Sequence, residues 1–229
     1  MNKSLAQTTQ TIPVITIDGP SASGKGTVAQ LVADKLGFAY LDSGALYRVV
    51  AYAAKQHNIS WDNAEAVAEC AKTLHIKFAN GQVYLDNQDI SEEIRTEIMG
   101  KGASQVAVHA PVRAALIDLQ HSFLKAPGLV ADGRDMGTVI FPSAPLKIFL
   151  TASTEVRAQR RYQQLLGKNQ PANYESILQD LQERDARDKG RVSAPLVMAE
   201  HAVLLETDHL GISDAVNVVL NAFNKLSSN

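Results

Sequence analysis

A glycine-rich run, Gly19-Pro20-Ser21-Ala22-Ser23-Gly24-Lys25-Gly26-Thr27, separates two segments of different hydrophobic period. Before it, residues 12–18 (Ile-Pro-Val-Ile-Thr-Ile-Asp) are short and β-branched, as in a buried strand. After it, Val28, Leu31, Val32 and Leu36 recur at helical spacing, and Gly37 supplies the stop. Strand, glycine-rich turn and helix form the setting in which such a run wraps a phosphate. The glycines let the backbone curl round an anion, and the free N–H groups at the helix start point at it. Lys25 is spaced to reach the outer phosphates, and a loop-end hydroxyl to help hold a metal ion. In the pattern G-x-x-x-x-G-K-[ST] a Ser or Thr follows the lysine; here Gly26 stands there and Thr27 comes next. Thr27 is therefore the candidate metal-side hydroxyl. Such a loop suits a kinase, a switch GTPase or a motor.

Further strands are expected at 38–41, 129–131, 146–150 and 203–206, separated by helical pattern that includes 44 to 57, 62–73 and a helix beginning near Asn173. This alternation predicts an α/β three-layer fold with a central parallel sheet of about five strands. One stretch breaks the rhythm: 76–90 holds Ile-Lys-Phe-Ala, Asn80-Gly81, then Gln-Val-Tyr-Leu, a hairpin signal foreign to a parallel sheet. We therefore expect a small hairpin-containing inserted sub-domain at 59–102, within one domain of 229 residues.

With 22 Lys and Arg against 24 Asp and Glu the chain carries a net charge of −2, so there is no general basic field for nucleic acid. Trp61 and the scattered tyrosines form no stacking stripe, and the six histidines show no metal-binding spacing, so a protein-held zinc is not expected. The single cysteine, Cys70, falls in an apolar helical stretch and reads as a packing thiol in a reducing compartment. No uncharged apolar run approaches the ~18 residues of a membrane span, and residues 1–11 are polar, without a signal-peptide core. A cytoplasmic protein without membrane or nucleic-acid partners is expected, and its small size makes it a monomer.

Local charge is informative where net charge is not. Asp42-Ser43-Gly44 and Asp132-Gly133-Arg134-Asp135 each follow a strand at its carboxyl end, where open α/β sheets bind ligands. Arg48 lies one turn into the following helix. Arg184, Asp188 and Arg191 fall at i, i+4 and i+7 on one helical face, and Arg157, Arg160 and Arg161 at i, i+3 and i+4 on another. Moving a phosphoryl group between two phosphate-bearing molecules brings like charges together, at a cost of ~4 kcal/mol per unit pair at 4 Å and an effective dielectric of 20. Such a reaction needs clustered arginines and Mg²⁺.

Gly19 to Thr27, Asp42-Ser43-Gly44-Ala45-Leu46-Tyr47-Arg48, Ala103-Ser104-Gln105-Val106-Ala107, Ala131-Asp132-Gly133-Arg134-Asp135-Met136-Gly137-Thr138, and Glu183-Arg184-Asp185-Ala186-Arg187-Asp188 through Ala194-Pro195-Leu196 together resemble the bacterial cytidylate kinases, from about residue 12 to 225. The resemblance implies transfer of the γ-phosphoryl of ATP to CMP or dCMP, with Mg²⁺. By position it implies a short helical lid at 151–172, whose Arg157, Arg160 and Arg161 bind ATP together with Gly19 to Thr27. Ser43, Arg48, Arg134 and Arg191 would surround the acceptor phosphate, Ser104, Arg113 and Asp135 the base, and Arg184 and Asp188 the ribose. Lys25, Asp132, Arg134, Arg184 and Arg191 would be catalytic, with Thr27 and, through water, Asp132 on the metal. A kinase of another small acceptor (UMP, AMP or shikimate) and a nucleotide-binding module without transfer are the two competing readings.

Overall fold

The computed structural model describes residues 12–79 and 81–227; the polar stretch 1–11 and Asn80 of the expected hairpin lie outside the described residues. Strand β1 (Val14–Asp18) is buried along its whole length, which suits a β-branched run at the centre of a parallel sheet covered on both faces. It feeds the glycine-rich loop and helix α1 (Lys25–Leu36), which Gly37 ends in the left-handed conformation. Strand β2 (Ala39–Asp42) leads directly into α2 (Ser43–Gln56), capped by the Asp42 side chain on the Ala45 N–H. After the insert come β6 (Leu129–Gly133), β7 (Leu146–Thr151), α6 (Thr154–Leu166), α7 (Tyr174–Gly190), β8 (Val203–Glu206) and α8 (Ile212–Ser227).

The central sheet has five parallel strands in the order β2-β6-β1-β7-β8. From β1 the chain passes through α1 to the edge strand β2, whereas from β6 it crosses β1 to reach β7 on the other side, so the crevice at the carboxyl end of β1 is a switch point for ligands. Alternation along β1 divides the core. Ile15 and Ile17 pack with Val28, Val32, Val216 and Val219 of α1 and α8, while Val14 faces the other layer with Leu46, Val50 and Leu116. The strand expected to end at Ala131 continues through Asp132 and Gly133, whose poor strand propensity is overridden by pairing with Asp42 and Asp18 in register.

Between α2 and β6 the chain forms α3 (Ala64–Lys72), a three-stranded antiparallel sheet, α4 (Glu97–Val106) and α5 (Ala110–His121). The sheet pairs β3 (Ile76–Ala79) with β4 (Gln82–Leu85) and adds a two-residue third strand, β5 (Gln88–Asp89), after Asp86 and Asn87 turn the chain with positive φ. The limit expected at 102 falls inside α4. Cys70 is buried on α3, and burial pushes its thiol up.

At the end of β1, the buried Asp18 carboxylate accepts the Met136 and Gly137 N–H groups, both at 2.8 Å, and so fixes the turn that follows Arg134 and Asp135. Burial pushes its pKa from 3.8 up to about 6, against the pull of those two bonds. A folded-state value above the unfolded one means that the stabilising contribution is fully present below pH 3.8 and lost as pH rises through 6. Relative to non-titrating Asp18→Asn, the wild type is expected to lose about 2 kcal/mol of stability between pH 4.5 and 7.5. Urea titrations across that window check this; a constant difference between the two proteins contradicts it.

Candidate active site

The phosphate loop is held against the sheet so closely that a Cβ on Gly19 would lie 1.9 Å from the Leu150 carbonyl oxygen of β7. Only glycine fits there. At the other end of the loop the α1 N-terminus presents its open N–H groups. Ser23 Oγ is buried in the loop without a hydrogen-bond partner, an orphan donor that an anion would satisfy. Lys25 Nζ lies 3.5 Å from the Pro20 carbonyl. Burial, then repulsion from Arg134, lowers its pKa to about 8. Across from it burial raises Asp132 to about 7, with Lys25 pulling down and Asp42 pushing up. Gly26, which departs from the usual pattern, also has a steric reason. A Cβ there would come within 3.1 Å of Asp132 Oδ2 and 3.5 Å of the Tyr40 hydroxyl. The hydroxyl moves one residue on, to exposed Thr27.

A cavity of about 700 Å³ runs from this loop to α7. Its loop side holds Lys25, Thr27 and Asp132, and its far wall Arg134, Arg160, Arg161 and Arg184, with Arg48 and Asp42 on the β2–α2 side. Arg184 Nε is buried with no hydrogen-bond partner. Burial, then the neighbouring Arg134 and Arg48, lower this guanidinium to about 10. A half-buried cation with its buried Nε unpaired calls for an anion. Arg134 reaches both sides. It donates to Ser21 Oγ of the loop at 2.6 Å and to Asp188 of α7 at 2.8 Å.

The remaining sequence candidates, Arg48 apart, lie off the cavity lining. Arg113 and Asp135 make a buried ion pair, with the Arg113 guanidinium 5.8 Å from the Tyr47 ring centroid. Asp188 takes Arg191 as well as Arg134, and these contacts hold its carboxyl below the usual range despite burial. Ser104 accepts from Arg187 Nε at 3.2 Å. Ser43 is buried at the start of α2, and Arg48 donates to the Ile94 and Thr96 carbonyls of the insert at 2.8 and 3.1 Å. Arg191 lies just past α7 yet returns to Asp188 one turn back, as the helical spacing predicted.

The three lid arginines part ways. Arg161 lines the cavity and pairs with Glu97 of α4 across its mouth. Arg160 lines it too, but donates to the Ser23 carbonyl at 3.3 Å and to Thr207. Arg157, expected on ATP, is buried and off the lining, and every donor of its guanidinium is spent on protein acceptors. Helical spacing puts the three on one face, and tertiary partners set which donors are engaged by protein and which line the cavity. Asp18, Tyr47, Asp185 and Arg187 were not singled out by the sequence reading. A carboxylate at the buried end of β1 was the one available signal.

The model of the family described as Cytidylate kinase matches residues 15–225. The chain belongs to the cytidylate kinase family. It is 57% identical over 210 residues to the cytidylate kinase of Polynucleobacter asymbioticus, covering 92% of this chain and 96% of that protein. It is 56% identical over 214 residues to that of Paraburkholderia phymatum, covering 93% and 94%. Among solved structures, a gluconokinase from Sinorhizobium meliloti aligns over 95% of both chains at 17% identity and a TM-score of 0.48.

Proposed function

We propose that this member of the family moves the γ-phosphoryl group of ATP to CMP or dCMP, giving ADP and CDP or dCDP. The observation that carries the reading is the pair of cations, buried Lys25 and half-buried Arg184, that line one cavity together with Arg134. Two anions held in that space need positive charge from both sides, because their mutual repulsion grows as water is excluded. Lys25 and the loop N–H groups bind the donor phosphates. Ser43, Arg48, Arg134 and Arg191 take the acceptor phosphate, and Arg184, beside the ribose with Asp188, faces the group in transfer; the acceptor's second pKa of about 6 leaves it ionised at neutral pH and able to attack without a general base. Positioning and charge neutralisation are then the main work of the protein.

Thr27 and Asp132 are hard oxygen donors on the loop side of the cavity, a set that fits Mg²⁺, which keeps waters and takes few protein ligands. When bound with ATP, Mg²⁺ would neutralise developing charge between the outer phosphates. We take the enzyme to be a cytoplasmic monomer acting on free nucleotides; no helix among the described residues is long and apolar enough to cross a membrane.

Ser104, Arg113 and Asp135 read the base in this proposal. Cytosine presents an N4 donor beside the N3 acceptor, which matches a carboxylate and an arginine; uracil reverses both. Coupled assays with ATP and Mg²⁺ on CMP, dCMP, UMP and AMP should give fastest turnover with the two cytosine nucleotides. Equal rates on AMP, or no diphosphate from any acceptor, would favour another kinase or a binding module. In the same assays Asp135→Ala is expected to lower kcat/KM for CMP by about 10²-fold, and for UMP by less than about tenfold. Equal losses on both would remove Asp135 from base recognition.

A further inference from the structure

Two struts run from one loop residue, Ser21, to helix α7. The first is Arg134, which donates to Ser21 Oγ and to Asp188. The second is Arg157, which donates to the Ser21 carbonyl at 3.1 Å and makes a two-pronged pair with Asp185, three residues before Asp188. The other Arg157 bonds anchor it at the base of the lid: Nε to the Ala152 carbonyl at 3.0 Å and Nη2 to Thr154 Oγ1 at 2.8 Å. All five N–H groups of its guanidinium are thereby spent.

We propose that Arg157 is a positioning residue that locks the phosphate loop to α7, setting the separation between the donor and acceptor phosphates while touching neither nucleotide. The inference rests on the reading of the loop as donor site and α7 as acceptor wall. The two struts differ in what they are free to do. Arg134 lines the cavity and must turn its donors to the acceptor phosphate, so its hold on Ser21 and Asp188 is released as the substrate engages. Arg157 lies outside the lining and owes nothing to a ligand. It therefore remains the fixed link at the moment of transfer. Its partner Asp185 is adjacent in sequence to Arg184, so the Arg157 pair fixes the rotation of the helix that aims Arg184 into the cavity. A misplacement of about 1 Å between reacting groups costs on the order of 10²-fold in rate. Lysine in place of Arg157 keeps the charge, but a single ammonium cannot span Ser21, Ala152 and both Asp185 oxygens.

The test compares four variants of the full chain in steady-state assays with ATP and CMP. Arg157→Lys is expected to lower kcat by about 10²-fold and raise KM for CMP about tenfold, with KM for ATP within about threefold, since β1 and α1 hold the loop themselves. Asp185→Asn should show the same split at about a tenth of the size, because one prong survives. Thr154→Val, which removes only a bond within the first turn of α6, should be silent. The double variant Arg157→Lys with Asp185→Asn should be no worse than Arg157→Lys alone, because both remove one link. A merely structural role would lower the active fraction and leave both KM values alone. That result, multiplicative losses in the double variant, or a Thr154→Val loss equal to that of Arg157→Lys would each overturn the proposal. If Arg157→Lys gives no cooperative melt, Asp185→Asn decides alone, and a silent Asp185→Asn overturns it. Wild type that forms no CDP would sink the functional reading and this proposal with it; active wild type with silent variants sinks the proposal only.

Discussion

Arg184→Met is expected to lower kcat by about 10³-fold while raising the melting temperature of the nucleotide-free protein. Both effects have one origin. Arg184 is half-buried, its buried Nε has no partner, and desolvation together with Arg134 and Arg48 lowers the guanidinium to about 10. The fold thus disfavours the charged form, and an apolar side chain of similar length removes that cost. Its size is on the order of 2 kcal/mol, or a few degrees in Tm for a domain of this length. In the reaction the same unpaired cation meets the charge that develops between donor and acceptor, where a positioned arginine is worth about 10³-fold or more. Steady-state kinetics and a thermal melt measure the two quantities on one preparation. A variant that loses stability along with activity would mean that Arg184 is a structural ion-pair partner, which the geometry denies. Most site substitutions are expected to move both quantities downward, so the opposite signs are the distinguishing result.

The origin of Arg184's strain also explains which parts of the molecule the sequence could reveal. The phosphate loop, the five parallel strands and the Arg184–Asp188 face are written in local order: a period of two or 3.6, a glycine stop, an i+4 spacing. The third strand of the insert is two residues long and sits after an Asp86-Asn87 turn, too short for any period to register. The end of β6 was missed because Asp132 and Gly133 are poor strand formers that neighbouring strands hold in place. The same division runs through the site. Spacing placed Arg157, Arg160 and Arg161 on one helical face, but no local pattern tells a spent guanidinium from a free one. That is decided by Asp185, 28 residues away, and by the carbonyl of Ser21, 136 residues away. Asp18 is the plainest instance, since its two acceptor bonds join positions 118 and 119 residues apart. Residue types at strand ends announced a polyanion site; the partition between ligand-binding and bracing side chains belongs to long-range packing.

Lys25 supplies the other large effect, and its burial gives it a signature in pH. In the nucleotide-free protein Lys25 is lowered to about 8 by burial first and by Arg134 second. Below that value it is charged and attracts the outer phosphates; above it the charge is gone and affinity falls. Bound phosphates pull the lysine back up, so binding near pH 8 takes up protons, about half a proton per ATP. Calorimetry with metal-free ATP in EDTA, in two buffers of different ionisation enthalpy, reads this directly. Between pH 8 and 9.5 the association constant is expected to fall about 16-fold in all, with the slope nearing tenfold per unit only at the upper end. Asp132, raised to about 7 in the free protein, is largely ionised across that window, and the Lys25→Met variant separates any uptake by that carboxyl from the lysine's own. Lys25→Met should abolish both the slope and the proton uptake, and should lower kcat/KM for ATP by about 10³-fold at pH 7.5 with Mg²⁺ present. Wild-type affinity that stays level from pH 8 to 9.5 would mean that Lys25 does not carry the phosphate charge. A variant that kept the slope would move the titration to another group, with Arg184, at about 10, too high to produce it. The two predictions are complementary: one cation spends stability to stay charged, and the other, lowered further into the working range, lets part of its charge wait for the nucleotide.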